Sequence, residues 1–258
     1  MDSSSIIHNN AKLGKNVKIG PFCFIGENVS IKDNCTLHSH VVVNGNTTIN
    51  ENSEIFPFAS IGSTPQDLKY KGEETRIIIG KNCKIREYAT VNLGTKGGGG
   101  LTSVGNNCLL MIGTHIAHDC LIHDNVIFAN HSTLAGHVIV EKNVVVGALS
   151  AIHQFSRIGE GSMIGGMSGV TSDVVPFSTV MGNRAKLSGL NLVGLKRSNF
   201  NKTEINELRK IFKYVFFSEE KTLEFRLKKV KKENQNFYTI NKIFSFLESE
   251  TRRSFCMP

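Results

Sequence analysis

The sequence is notable first for what is missing from its 258 residues. No apolar run approaches the roughly 18 residues that a membrane-spanning helix requires. The opening stretch, "MDSSSIIHNNAKLGK", lacks the basic start and apolar middle of a secretory signal. The six cysteines form no CxxC pair, and five of them fall on one repeating position. They are therefore expected to be reduced thiols packed as small apolar residues, in a cytoplasmic protein. A glycine run at 97–100 comes without the P-loop pattern or its following helix, so it is not expected to cradle phosphate. Residues 1–195 also lack charge excess, with 15 Lys+Arg against 14 Asp+Glu. The net charge of +8 belongs instead to residues 196–258, which hold 15 basic against 8 acidic side chains and invite an acidic partner. Hydrophobic content of 40% and charged content of 20% describe an ordinary folded chain.

What the sequence has in abundance is a six-residue repeat. Stepping by six from Ile7 meets Leu13, Ile19, Ile25, Ile31, Leu37, Val43, Ile49, Ile55 and Ile61. The repeat resumes at Ile79, Ile85 and Val91, slips by one residue, and runs from Val104 to Val170. In all, 25 positions are bulky and apolar. A small or β-branched residue precedes nearly every one by two positions, as Cys23, Val29, Cys35 and Val41 do. A period of six suits neither an isolated helix nor a hairpin sheet, but it does suit a parallel β-helix that buries one aliphatic column per face. The pattern resembles the hexapeptide-repeat proteins, whose left-handed parallel β-helix has three hexads per coil. The expected fold is mainly β, with roughly eight coils over residues 1–190.

Two stretches break the period and are expected to project as loops: residues 62–78, and residues 93–103 as a flexible external loop. After Val175-Pro176 the period ends. Asn201 with Glu204 reads as a capping box. Ile205, Leu208, Ile211, Phe212, Val215 and Phe216 then follow at helical spacing. Two further helices are expected around Leu223–Val230 and Ile240–Leu247, which makes residues 191–258 a small, basic α-helical domain.

With 18 residues per coil, His137 lies above Asp119, and His118, Gly136 and Gln154 form the adjacent column with His153 beside it. His115 lies three positions before His118 on the same coil. None of these occupies an inward position, so all are expected to be exposed or half-exposed on one edge. His123 and His131 fall at other angles and read as ordinary surface residues. Two chemistries fit the cluster. Several imidazoles can hold zinc, as in a hexapeptide-repeat carbonic anhydrase. Alternatively, one neutral imidazole can take a hydroxyl proton while a neighbouring carboxylate favours the imidazolium that forms. Spacing alone leaves both open, together with a non-enzymatic solenoid scaffold.

Longer motifs carry a resemblance. The segments "HSHVVVNG" (38–45), "FASIG" and "QDLKY" (58–62, 66–70), "GGGLT" (98–102), "LLMIGTHIAHDC" (109–120), "TLAGHV" (133–138), "HQF" (153–155), "SGV" (168–170) and "GLKR" (194–197) occur in that order. In them the chain resembles the UDP-N-acetylglucosamine 3-O-acyltransferase family, which begins lipid A synthesis in Gram-negative bacteria. The resemblance implies transfer of a 3-hydroxyacyl chain from acyl carrier protein to the sugar 3-hydroxyl. It implies His118 as general base, Asp119 as its carboxylate, and the Gly136 N–H as an oxyanion donor. It further implies that His115, His137, His153 and Gln154 line the sugar and acyl groups, that Asp67 and Lys69 bind the glucosamine end, and that Asn191 and Arg197 hold the uridine diphosphate. No metal or diffusible cofactor is implied, because the carrier's phosphopantetheine supplies the thioester. Acyl carrier protein, which is acidic, would meet the basic C-terminal region, and a homotrimer with sites between prisms is expected. Val193 and Ser198 stand where close relatives often place a glutamate and a second arginine. Gly165 and Gly166, in the implied acyl groove, would leave room for a longer chain. The N-acyltransferase acting later in the same pathway carries an additional N-terminal uridine-binding domain, whereas here the repeats begin by residue 7.

Overall fold

The computed structural model describes residues 1–231 and 237–258; Lys232 and Glu233 of the basic segment fall outside the described residues. Most hexads form a two-residue strand whose second member is the aliphatic position, as in Phe24–Ile25, Ser30–Ile31 and Thr36–Leu37. These three successive strands belong to three different sheets, so the chain turns a corner after every hexad. Parallel ladders join residues 18 apart: Ile6 with Phe24, Lys12 with Ser30, Lys18 with Thr36. The result is a triangular prism with faces of nine, eight and ten strands among the described residues. From Ile19 to Val170 every repeat position is buried. Burial of each such side chain stabilises the prism by roughly 1.5–3 kcal/mol. All six cysteines are buried and unpaired. Burial pushes the Cys120 thiol up to about 12, so it packs as a small, protonated side chain.

Most turns place a residue in the left-handed region, and the three edges of the prism supply it differently. Between the second and third faces the sequence supplies asparagine, with Asn16, Asn34, Asn52, Asn82, Asn107, Asn125 and Asn143 at φ 55–62°. Asparagine tolerates this conformation because its short polar side chain finds local hydrogen bonds, such as Asn16 Nδ2 donating to Asn34 Oδ1 at 3.1 Å. Between the third and first faces Phe22, His40, Phe58 and Tyr88 stack with ring centroids 4.8–5.1 Å apart. Between the first and second faces the positions fall to Asp119, His137 and Phe155, at φ 59°, 61° and 63°.

The two excursions are shorter than expected, because four-residue strands occupy their ends. Asn46–Ile49 pairs with Arg76–Ile79, and that strand pairs with Leu101–Val104. Only residues 64–75 and 93–100 leave the ladder. The second excursion also corrects the expectation of a flexible external loop. Leu93 and Thr95 are buried, and a 3-10 turn at Lys96–Gly98 folds back onto the prism.

A hairpin that the repeat analysis does not anticipate, Ser178–Met181 against Lys186–Leu190, ends the third face with its only antiparallel pairing among the described residues. Among the described residues four helices follow: α1 Leu192–Arg197, α2 Lys202–Phe217, α3 Leu223–Lys231 and α4 Tyr238–Glu248. The six-residue α1 is too short to declare a period. Asn201 caps α2, accepting the Glu204 N–H at 2.8 Å. The capping box is not closed, however. The Glu204 carboxylate accepts from Thr239 N (3.0 Å) and Thr239 Oγ1 (2.9 Å), which ties α2 to α4. The domain docks on the last coil through Arg157, whose guanidinium carbon lies 4.4 Å from the Phe246 ring centroid, and through the Tyr238 hydroxyl donating to Glu160 at 2.7 Å.

Candidate active site

The corner between the first and second faces is where the repeating hexad geometry exposes chemistry. After the inward Ile116, the chain places His118 on the corner, and Asp119 takes the left-handed turn position. One coil on, the ladder repeats the turn, with His137 N donating to His118 O at 3.0 Å, and Phe155 N to Gly136 O at 3.2 Å above it. The residues read as a vertical set from the 18-residue step are therefore brought together at one corner.

Asp119 is not exposed as its outward position suggested; it is 4% accessible. The cover is the glycine-rich excursion. Asp119 Oδ1 accepts the Thr95 N–H at 2.8 Å, and Oδ2 accepts the Thr95 hydroxyl at 2.7 Å. Asp119 N donates to Thr102 Oγ1 at 2.8 Å. A Cβ on Gly98 would lie 2.0–2.3 Å from the Asp119 carboxylate, so only glycine lets the loop close this far. These hydrogen bonds supply what a buried carboxylate needs in place of water.

His118 completes the set, with Nδ1 2.7 Å from Asp119 Oδ2. A carboxylate only accepts, so Nδ1 carries the proton and Nε2 is left as the lone-pair nitrogen. That nitrogen faces Gly136, where a Cβ would approach it to 2.6 Å. The missing side chain keeps open the space in front of Nε2. Gly136 N–H finds no acceptor among the described residues, and it borders the same space. His137 stands edge-on to His118 at 5.0 Å and stacks on Phe155 at 4.5 Å. Burial lowers its pKa against the opposing pull of Asp119, so it is neutral at neutral pH. His115 lies outward on the first face, with Nδ1 2.7 Å from Thr90 Oγ1. Burial and then the nearby His118 lower its pKa too.

The 64–75 excursion and residues 250–252 wall a groove of about 860 Å³ over this corner, which includes Asp67, Lys69, Asp119, His137 and Phe155. His153 and Gln154 are exposed and held by Arg253, which reaches His153 Nδ1 at 2.7 Å and donates to Gln154 O at 3.1 Å. Asn191 and Arg197 do not join them. The Asn191 side chain caps α1 by accepting from Gly194 N at 2.9 Å, and its Nδ2 donates to Gly161 O at 2.9 Å. Gly161 belongs to the corner between the second and third faces, so within one chain Asn191 is on a different edge from His118. Arg197 is exposed at the end of α1. Gly165 leaves no vacant room, because Met181 fills its missing side chain, with Cβ 2.9 Å from the position a Cβ would take.

Comparison with known proteins places the chain in a family. The bacterial transferase hexapeptide profile matches residues 10–45 and 102–136, and the second-domain profile of UDP N-acetylglucosamine O-acyltransferase matches residues 173–256. The acyl-(acyl-carrier-protein)–UDP-N-acetylglucosamine O-acyltransferase of Aliarcobacter butzleri is 55% identical over 213 residues, 83% of this chain and 82% of that protein. The chain belongs to this acyltransferase family. The Paracoccus denitrificans member is 55% identical over 155 residues, an alignment spanning 60% of this chain and 59% of that protein. The solved UDP-N-acetylglucosamine acyltransferase of Campylobacter jejuni superposes with a TM-score of 0.93 at 40% identity, covering 100% of this chain and 99% of that one. The fold is the left-handed parallel β-helix of that enzyme family, with a small helical C-terminus.

Some site residues escape the repeat-based reading. Phe155 was accessible to it, lying 18 residues after His137. Thr95 and Gly98 carried only the glycine run as a signal. Arg252 and Arg253 carried none, since they return to the corner from about 100 residues away.

Proposed function

We propose that this chain transfers a 3-hydroxyacyl group from acyl carrier protein to the 3-hydroxyl of UDP-N-acetylglucosamine, the first step of lipid A synthesis, with His118 as general base. The observation that carries the reading is the 2.7 Å contact of His118 Nδ1 with Asp119, which leaves a basic Nε2 facing the gap at Gly136. In that gap Nε2 takes the sugar hydroxyl proton as the oxygen attacks the thioester carbonyl. The tetrahedral oxyanion accepts the Gly136 N–H. Collapse breaks the C–S bond, and the imidazolium returns its proton to the departing phosphopantetheine thiol. Asp119 stabilises the imidazolium between the two transfers. The chemistry calls for no metal or diffusible cofactor. Asp67 and Lys69 would engage the glucosamine from the groove wall.

Asn191 is tied to another edge of the same prism and Arg197 ends the helix that it caps, so their proposed nucleotide contacts would be made to the site of a neighbouring copy in a homotrimer. Mixing His118→Ala chains with Arg197→Ala chains tests this. Partial recovery of turnover in mixed oligomers is expected, and none would sink the shared site. No helix among the described residues is long and apolar enough to cross a membrane, which fits the cytoplasmic location we propose.

A metal-dependent hydratase is the competing reading, since ligand atoms of His118, Asp119 and His137 lie within 4.8 Å of one another. Against it, three protein donors already occupy the Asp119 oxygens. The deciding assay supplies UDP-N-acetylglucosamine with a panel of 3-hydroxyacyl carrier proteins. Turnover that survives chelation is expected. Stoichiometric zinc, with activity lost to chelator, would overturn the proposal.

A further inference from the structure

The site corner continues upward past the residues used so far. Above His137 sits Phe155, its ring parallel within 12°. One coil further the register reaches Asp173, which is fully buried against Arg157 and ends the column. The C-terminal segment crosses at this level and is braced there from both sides. Asp173 N donates to Ser254 O, and Cys256 N donates to Asp173 O, both at 2.8 Å. The Thr251 hydroxyl donates to Asp173 Oδ2 at 2.6 Å, and Arg253 is fixed to Gln154 O at 3.1 Å. Terminal segments ordinarily fray, so a terminus tied down on each side of one residue holds that residue in place.

The residue between the braces is Arg252. Its guanidinium carbon lies 4.9 Å from the Phe155 ring centroid. Unlike its neighbour Arg253, it finds no hydrogen-bond acceptor or ion partner among the described residues. It lines the groove of about 860 Å³ with Lys69 and His137. Lys69 also has no ion partner among the described residues, whereas Arg157 in the same groove is consumed by Asp173. The charge of Arg252 reaches far enough to help lower the pKa of His137, so the two share one electrostatic space.

An arginine laid on an aromatic ring keeps the edge of its planar fork free for paired anionic oxygens. We propose that Arg252 is a substrate-binding residue that grips a phosphate group in the catalytic groove, opposite Lys69. The inference rests on the transferase reading above, because both proposed substrates carry phosphate. One source is the diphosphate of the sugar nucleotide, and the other is the phosphodiester of the pantetheine arm that threads the thioester to Nε2. The geometry fixes the shared chemistry, and the substrates themselves distinguish the source.

The test compares Arg252→Gln and Arg252→Lys with the unsubstituted protein, varying each substrate in turn. The Gln variant should raise the KM for one phosphorylated substrate about tenfold to hundredfold, with kcat within about threefold. The Lys variant should recover part of the loss, since charge remains while the fork is gone. A rise confined to UDP-N-acetylglucosamine assigns the diphosphate. A rise confined to the acyl donor, and abolished when the donor is an S-acyl pantetheine lacking phosphate, assigns the arm. Unchanged KM values for both substrates, or a loss in kcat alone, would overturn the assignment. Absence of turnover in the unsubstituted protein would bring down the transferase reading and this inference with it, whereas turnover indifferent to Arg252 defeats the inference alone. Because the side chain is exposed, all three proteins should melt together.

Discussion

Up to residue 170 the chain buries Ile, Val and Leu on a six-residue step, whereas beyond residue 200 it buries Phe212, Phe216, Phe244 and Phe246 on helical faces. Residues 1–195 are nearly neutral, whereas residues 196–258 carry +7. In the prism, each contact joins neighbouring coils, so stability is close to a sum of local terms and a corner residue is held by what lies directly above and below. In the helical cap, contacts such as Glu204 with Thr239 reach across the domain. The contrast suggests a division of labour: a stiff corner holds the proton-transfer geometry, and a less regular basic surface meets a partner.

The sharpest break in this division is at His118. His118→Ala should lower kcat about 10²- to 10⁴-fold while leaving melting and assembly unchanged, because the imidazole packs on no inward position. Near-normal turnover would refute the base, and a large fall in melting temperature would refute the separation of chemistry from stability. Next in size is Gly98→Ala. Its Cβ would collide with the Asp119 carboxylate, whereas a Cβ on Gly97 meets nothing within 4 Å. Displacing Asp119 should cost roughly tenfold to hundredfold in kcat, while Gly97→Ala should be silent. Equal behaviour of the two alanines would mean that the loop does not position the carboxylate.

These two residues also mark how far the sequence can be read. His118 was legible because, in a solenoid, sequence distance converts directly to spatial distance: 18 residues is one coil, and Asp119, His137 and Phe155 follow. Gly98 was not, because an excursion from the ladder has no period to fix where it returns. Burial of Asp119 was missed for the same reason, since an outward position predicts exposure only if nothing folds over it. Asn191 shows the opposite failure. The motif around it was legible, but its amide is occupied with capping α1 and with Gly161, which placement in a motif cannot reveal. Arg252 depends on a return across about 100 residues, which no local pattern encodes.

The cap half of the comparison is tested through charge. Arg209, Lys210 and Lys213 lie on one exposed side of α2. Replacing all three by Gln should raise the KM for the acyl carrier substrate about tenfold at low ionic strength, and the effect should shrink as salt is added. The kcat should hold, since the site corner is untouched. A KM that ignores both the substitutions and the salt would move the carrier surface elsewhere.

The smallest expected effect separates the two regions by pH. All nine histidines lie at or before residue 153, so the cap has none to titrate. In the fold, His115 and His137 have pKa values lowered from the ordinary 6.5, chiefly by burial. The unfolded chain therefore takes up these protons first as pH falls. The stability they contribute is fully present above pH 6.5 and declines below it, until the lowered folded values are passed. Exposed Lys228 and Lys229, raised by Glu224 and by Tyr214 with Glu220, titrate far above this window and leave the cap indifferent to it. Melting should drop by a few degrees at most between pH 7 and pH 5. The slope should flatten in a protein carrying His115→Gln and His137→Gln, and protection against amide exchange, measured relative to the intrinsic rate at each pH, should fall at the corner before it does in α2. An identical slope in the double variant would place the acid sensitivity outside the corner and remove the distinction drawn between the regions on this axis.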